Sequence, residues 1–151
     1  MQNHTDIEII LIEDNPFDAE LTLRALQTKG LAGKVKVFSN GVEALEFLFG
    51  NGDHSLTDAA ASPRLPKVIF LDLKLPQMNG LEILSQIKNN QRTRLIPVVM
   101  LTSSEEESDI QESYQLGVNS YMVKPVDYDE FSRVVEDLGL YWLIRNKAAV
   151  G

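Results

Sequence analysis

Residues 68–80 read Val68-Ile69-Phe70-Leu71-Asp72-Leu73-Lys74-Leu75-Pro76-Gln77-Met78-Asn79-Gly80. The first four are wholly apolar, the pattern of a parallel strand covered on both faces. Asp72 closes the run, an unusual residue to end so apolar a strand. A short loop follows, and Asn79 opens a helix over residues 79–89 whose Leu81, Leu84 and Ile87 face inward. Strand, loop and helix make one β-α unit with a carboxylate at its carboxyl edge.

The unit recurs in both directions. Upstream, residues 7–12 form a nearly unbroken apolar strand. Asn15 and Pro16 then read as helix cap and first helical residue. That helix carries Phe17, Leu21 and Ala25, with Ala19, Leu23 and Leu26, on a wide apolar face, and Gly30 ends it. Val35–Phe38 is a second strand and residues 42–49 a second helix, begun after Ser39-Asn40-Gly41. Residues 50–66 break the rhythm as a long surface loop, with room for one helical turn over 58–61. Downstream, residues 97–101 form a strand and 105–116 a helix with few apolar residues, chiefly Ile110 and Tyr114. Ser120–Val123 is the fifth strand. Asp127 caps a last helix whose Phe131, Val134, Val135 and Leu138 share one face. Five β-α units predict an α/β fold, a doubly wound five-stranded parallel sheet with five helices. Such sheets bind ligands beyond the carboxyl ends of their strands, here just after residues 12, 71, 101 and 123.

Composition narrows the function. The 151 residues suit one domain, and 44% of them are apolar, enough for a proper core. The net charge of −8 repels a phosphate backbone, so no nucleic-acid partner is expected. The absence of cysteine removes thiolate nucleophiles, thiolate metal sites and disulfides, and fits a cytoplasmic protein. No signal peptide pattern opens the chain and no apolar run approaches the roughly 20 residues of a membrane helix. His4 and His54 lie in a terminus and a loop, with no context for phosphotransfer.

All four expected positions carry chemistry. Glu13 and Asp14 follow the first strand, Asp72 the third, Thr102 the fourth, and Lys124, then Pro125, the fifth. Each has a plain alternative: acids favoured at a helix start, a turn residue, a cap, a solvated lysine. Their joint placement on one rim is what such independent explanations do not supply. Three ionised acids in one pocket call for a cation, and Mg²⁺ suits oxygen ligands with phosphate and water. A carboxylate beside Mg²⁺ is a competent nucleophile toward a phosphoryl group. The Lys124 ammonium and the Thr102 hydroxyl would hold the phosphoryl oxygens.

The segments Ile10-Leu11-Ile12-Glu13-Asp14-Asn15-Pro16, Phe70 to Gly80, Met100-Leu101-Thr102-Ser103-Ser104 and Tyr121-Met122-Val123-Lys124-Pro125 resemble the receiver domains of response regulators. The resemblance spans residues 6–143, leaving 1–5 and 144–151 as short extensions and no room for an output domain. The 50–66 loop, the Glu-Asp-Asn-Pro opening and Tyr141-Trp142-Leu143 look like the short regulators that partner bacterial phytochrome histidine kinases. The resemblance implies a flavodoxin-like strand order, 2-1-3-4-5. It implies Asp72 as phosphoacceptor, Asp14 as a direct Mg²⁺ ligand, Glu13 acting mainly through a water, and the Lys74 main-chain carbonyl completing the metal set. Many receivers have Asp where Glu13 stands, so the longer side chain can alter the surroundings of the metal. Thr102 and Tyr121 would be the switch pair and Lys124 the phosphoryl-binding cation; family members usually have a cis Lys-Pro bond, and the sequence leaves the state of Lys124-Pro125 open. A sensor histidine kinase, with the phytochrome kinases as candidates, is the implied partner. The chain would be no enzyme beyond its own phosphoryl transfer and autodephosphorylation.

Two rival chemistries fit poorly. A haloacid-dehalogenase-type phosphatase typically needs a second Asp two residues past the nucleophile, where this chain has Lys74. A flavodoxin-like FMN carrier needs a phosphate loop after the first strand, where Glu13 and Asp14 would repel the phosphate. A receiver used only as a binding module remains a third reading. Tyr114, Tyr121, Tyr141 and Trp142 suggest a self-complementary patch for a twofold homodimer; the plainer reading packs Trp142 and Leu138 on the domain's own core.

Overall fold

The computed structural model describes residues 7–50 and 65–147. The strands are Ile9–Ile12 (β1), Val35–Phe38 (β2), Val68–Leu71 (β3), Val98–Thr102 (β4) and Ser120–Val123 (β5). They form one parallel sheet in the order β2-β1-β3-β4-β5. The helices are Pro16–Thr28 (α1), Gly41–Phe49 (α2), Gly80–Lys88 (α3), Glu107–Gln115 (α4) and Tyr128–Leu140 (α5), and a π-helical turn, Tyr141–Arg145, continues α5. The doubly wound sheet and its strand order are as the sequence leads one to expect. Most of the 50–66 loop, the turn expected over 58–61, and both histidines lie outside the described residues.

Alternation along the central strands builds two cores. Ile10, Ile12, Ile69, Leu71, Val98 and Met100 face one way and meet Ala44, Leu45 and Leu48 of α2 and Ile83, Leu84 and Ile87 of α3. Ile9, Leu11, Val68, Phe70, Val99 and Leu101 face the other way and meet Ala25 and Leu26 of α1 and Phe131 and Val135 of α5. A strand buried on both faces has no place for polar residues, which is why β1 and β3 contain none.

Local signals set the helix ends. The Asn15 side chain accepts the N–H groups of Phe17 and Asp18, Asn40 that of Glu43, Asn79 that of Glu82, and Asp127 those of Asp129 and Glu130. Gly30, at φ 74°, stops α1. One expectation about burial needs correcting: Phe17 is half exposed, its ring 5.6 Å from that of Tyr128, and Thr22 is buried instead. Tyr114 is exposed, and Ser113 is the buried residue of α4, its hydroxyl spent on the Asp109 carbonyl at 2.7 Å. The Lys124-Pro125 bond, whose state the sequence leaves open, is trans.

Gly80 is where the acid-bearing loop closes on its helix. Its N–H donates to the Leu73 carbonyl at 2.7 Å, and a Cβ there would run into the Asp72 carbonyl oxygen and come within 2.8 Å of Leu73 Cα. Backbone cannot yield as a side chain can. Gly80→Ala should therefore cost about 2 kcal/mol or more of folding stability in urea denaturation, whereas Gly33→Ala, with open space around it, should stay within about 0.5 kcal/mol.

Candidate functional site

Glu13, Asp14, Asp72, Thr102 and Lys124 stand at, or one or two steps past, the end of a strand, whereas Tyr121 lies within β5. Glu13 N–H donates to the Phe38 carbonyl at 2.9 Å and Asp72 N–H to the Ile12 carbonyl at 3.1 Å. Lys124 N–H donates to the Thr102 carbonyl at 2.7 Å. The Asn15-Pro16 start then folds α1 back so that its first turn, with Asp18, stands beside the rim. Beyond Asp72 the chain turns sharply: Met78 N–H donates to the Pro76 carbonyl at 2.7 Å across Gln77, which takes a positive φ of 69°.

The charges converge on one point. Lys124 Nζ lies 2.6 Å from Glu13 Oε1, 2.9 Å from Asp18 Oδ2 and 3.3 Å from Asp72 Oδ2, with only 7% of its side chain exposed. Carboxylate oxygens of Glu13, Asp14 and Asp72 lie within 4.8 Å of one another. Glu13 is buried and Asp14 is open to solvent. Three hard oxygen donors so close together fit a divalent cation of the Mg²⁺ or Mn²⁺ kind. Burial pushes the Glu13 carboxyl from 4.5 up to about 7, against the hydrogen bond from Lys124 and with the repulsion of Asp72 adding to the rise. Burial disfavours the Lys124 ammonium too, but the bond and charge of Glu13, the charge of Asp72 and the bond to Asp18 outweigh it and raise its pKa.

Thr102 is buried at the end of β4, its Oγ1 accepting the Ser104 N–H at a long 3.4 Å. Ser104 has two further partners: its carbonyl accepts the Tyr121 hydroxyl at 3.0 Å, and its own hydroxyl donates to Asp109 Oδ2 of α4 at 2.6 Å. Tyr121 packs part-buried against the α2/α3 side of the sheet. Lys74 is exposed on the loop past Asp72. The four residues of the suggested apolar patch do not form a single group. Trp142 packs on the α1/α5 side, the face opposite that of Tyr121, with its ring 4.9 Å from that of Tyr141. Tyr141, Ile144 and Tyr114 remain exposed. Asp18 is the site residue that sequence reading passes over: an acid in a first helical turn looks like a partner for the helix dipole. The cue was its place four residues after Asp14, one turn along the same helix start.

The response regulator receiver domain model matches residues 9–136. The probable methanogenesis regulatory protein FilR2 of Methanothrix harundinacea is 38% identical over 93% of this chain and 86% of its own length. Response regulator Rcp1 of Synechocystis is 36% identical over 89% of this chain and 88% of its own. The crystal structure of phosphorylated RcpA, a cyanobacterial phytochrome response regulator, superposes with a TM-score of 0.84 at 33% identity, covering 94% of this chain and 97% of that one. The Mn²⁺-bound form of Rcp1 superposes with a TM-score of 0.82 at 32% identity, covering 94% and 98%.

The raised Glu13 pKa has a consequence for stability. Between about 4.5 and about 7 the folded chain keeps a proton on Glu13 that the unfolded chain has released. The metal-free protein should therefore lose stability as the pH rises through that window, by on the order of 3 kcal/mol from this group. Denaturation in EDTA across the window should show the slope, and Glu13→Gln should flatten it.

Proposed function

Because this chain belongs to the response regulator receiver domain family, we propose that Asp72 is the residue on which it takes up its phosphoryl group, with Mg²⁺ held by Asp14, Asp72 and the Lys74 main-chain carbonyl and with Glu13 acting through a water. The chain is a receiver domain of a two-component response regulator, and receiver domains partner histidine kinases. The observation that carries the reading is the cluster itself, three carboxylates with a buried ammonium 3.3 Å from Asp72. The Mn²⁺-bound form of Rcp1 supports a divalent cation at this rim.

In this reading an Asp72 oxygen attacks phosphorus as the P–N bond of the kinase's phosphohistidine breaks, the electron pair leaving with the imidazole nitrogen. The cation offsets the negative charge of the carboxylates and of the incoming group. Lys124 holds one phosphoryl oxygen and Thr102 another. Thr102 gives up little in turning, since its bond to Ser104 N–H is already long. The phosphoryl group adds roughly −1.5 to −2 charges, and each charge-assisted hydrogen bond contributes about 1.5–3 kcal/mol. Two such bonds, where made in only one state, approach the about 5.5 kcal/mol that takes a ratio from 1:99 to 99:1. Tyr121 then follows Thr102, and α4, with Ser113 alone fully buried, shifts at low cost. The chain acts on itself alone and passes its signal to proteins rather than nucleic acid, in keeping with its charge of −8.

A groove of about 610 Å³ between α1 and α5, with Phe17, Asp18, Tyr128 and Lys124 in its wall, leads to the rim and is where the kinase would dock. The likeness to Rcp1 and RcpA favours a phytochrome kinase. None of the described helices is long and apolar enough to cross a membrane, and the cytoplasm, where such kinases present their phosphohistidine, is the proposed location. Tyr141 and Ile144, exposed beside the part-buried Trp142, are the proposed centre of a twofold homodimer, with Tyr114 and Tyr121 on the moving side of the molecule tuning it.

Acetyl phosphate with Mg²⁺ should add a single phosphoryl group by intact mass, and Asp72→Asn or EDTA should abolish it; equal labelling of Asp72→Asn would remove Asp72 from its role. In sedimentation over a range of concentrations, the chain should form dimers that Tyr141→Ala weakens about tenfold or more with the fold intact; a monomer with and without phosphodonor would leave this face to another protein.

A further inference from the structure

Lys124 is the cation that must meet the phosphoryl group, and an ammonium carries three N–H donors, each here matched to a different carboxylate. The two shorter contacts, 2.6 Å to Glu13 and 2.9 Å to Asp18, come from opposite ends of the turn that starts α1. The third and longest, 3.3 Å, points at Asp72. Glu13 and Asp72 belong to the cluster that can hold a metal, but Asp18 does not. Among the described residues its carboxylate has a single ion-pair partner, Lys124, and it is anchored by a backbone that is itself capped, since the Asp18 N–H donates to Asn15 Oδ1 at 3.1 Å.

We infer that Asp18 is a positioning residue for phosphoryl transfer: with Glu13 it fixes the Lys124 ammonium so that its remaining N–H is aimed at the place on Asp72 where the phosphoryl oxygens arrive. A lysine side chain is long and flexible, and one anchor would leave its head free to swing about that bond. Two anchors on different elements remove that freedom before the donor arrives, which is the preorganisation on which transition-state stabilisation depends. The inference rests on Asp72 being the phosphoacceptor.

The test sets this role against simple charge. With phosphoramidate as donor, an Asp72 oxygen forms the new P–O bond while the P–N bond breaks, and ammonia leaves with the electron pair. Near this anionic donor, losing a negative charge should by itself speed the reaction. Asp18→Asn should nevertheless slow phosphorylation at saturating Mg²⁺ by about three- to tenfold. Glu20→Gln, which removes an acid of the same helix that is paired with Arg24, should leave the rate unchanged or raise it. Asp18→Glu, which keeps the charge, should recover part of the loss. In a Lys124→Met background, Asp18→Asn should slow nothing further.

A second readout needs neither metal nor donor. The Lys124 ammonium protons, shielded by three carboxylates, should give a ¹⁵N-correlated signal that Asp18→Asn broadens or removes by faster exchange with water. An Asp18→Asn rate equal to or above wild type, or an unaltered Lys124 signal, would overturn the inference while leaving Asp72 as acceptor. A wild-type chain that takes no phosphoryl group at all would overturn both.

Discussion

Four carboxylates, those of Glu13, Asp14, Asp18 and Asp72, stand at the carboxyl edge of the sheet against one ammonium, which bonds to all but Asp14, and that imbalance governs the site. Like charges so close raise one another's cost of ionisation unless a cation joins them. Burial raises the Glu13 pKa and the Asp72 charge adds to the rise, while the bonds and charges of the carboxylates raise that of Lys124. A site in this condition favours a divalent cation, and with it a dianionic group that the same carboxylates would otherwise repel. The resting arrangement is thus poised for both ligands of its proposed chemistry.

The sheet makes this possible. β1 and β3 are adjacent and in register, so residues one step past Ile12 and Leu71 arrive side by side, as the Asp72 N–H bond to the Ile12 carbonyl shows. β4 and β5 bring Thr102 and Lys124 to the same edge, paired by their own ladder bond. The two apolar cores hold these four strands from both sides, giving the rim the rigidity that charge placement requires. α4 buries little, with Ser113 its buried residue, and it is tied to the rim through Ser104, the residue in contact with Thr102, Tyr121 and Asp109 together. A small turn at Thr102 has a short path to an outer helix.

Most of this was legible in the residues, and the exceptions have physical reasons. β2, β3 and β5 fall where the apolar runs lie. β1 begins two residues later than the apolar pattern suggests, although Glu8 still bonds to both sides, its N–H donating to the Lys34 carbonyl and its carbonyl accepting the Lys67 N–H. Phe17 fits the helix periodicity yet stands half exposed, since periodicity reports which face a residue shares and not whether the sheet extends beneath it. The strand-end acids and Lys124 could be found because topology says where to look. Asp18 could not be separated from an ordinary first-turn acid until a lysine 106 positions away was seen to reach it. Tyr141 and Trp142, adjacent in sequence, differ in burial, and only packing decides which of the two is presented outward.

The central claim, that the rim is an acid cluster awaiting a cation, is tested most directly by isothermal titration with Mg²⁺ near pH 7, in two buffers of different ionisation enthalpy. The account requires one ion per chain, bound with release of about half a proton as Glu13 ionises beside it, and loss of that site in Asp14→Asn. Several weak equivalents scattered over the acidic surface, with no proton released and no effect of Asp14→Asn, would contradict it.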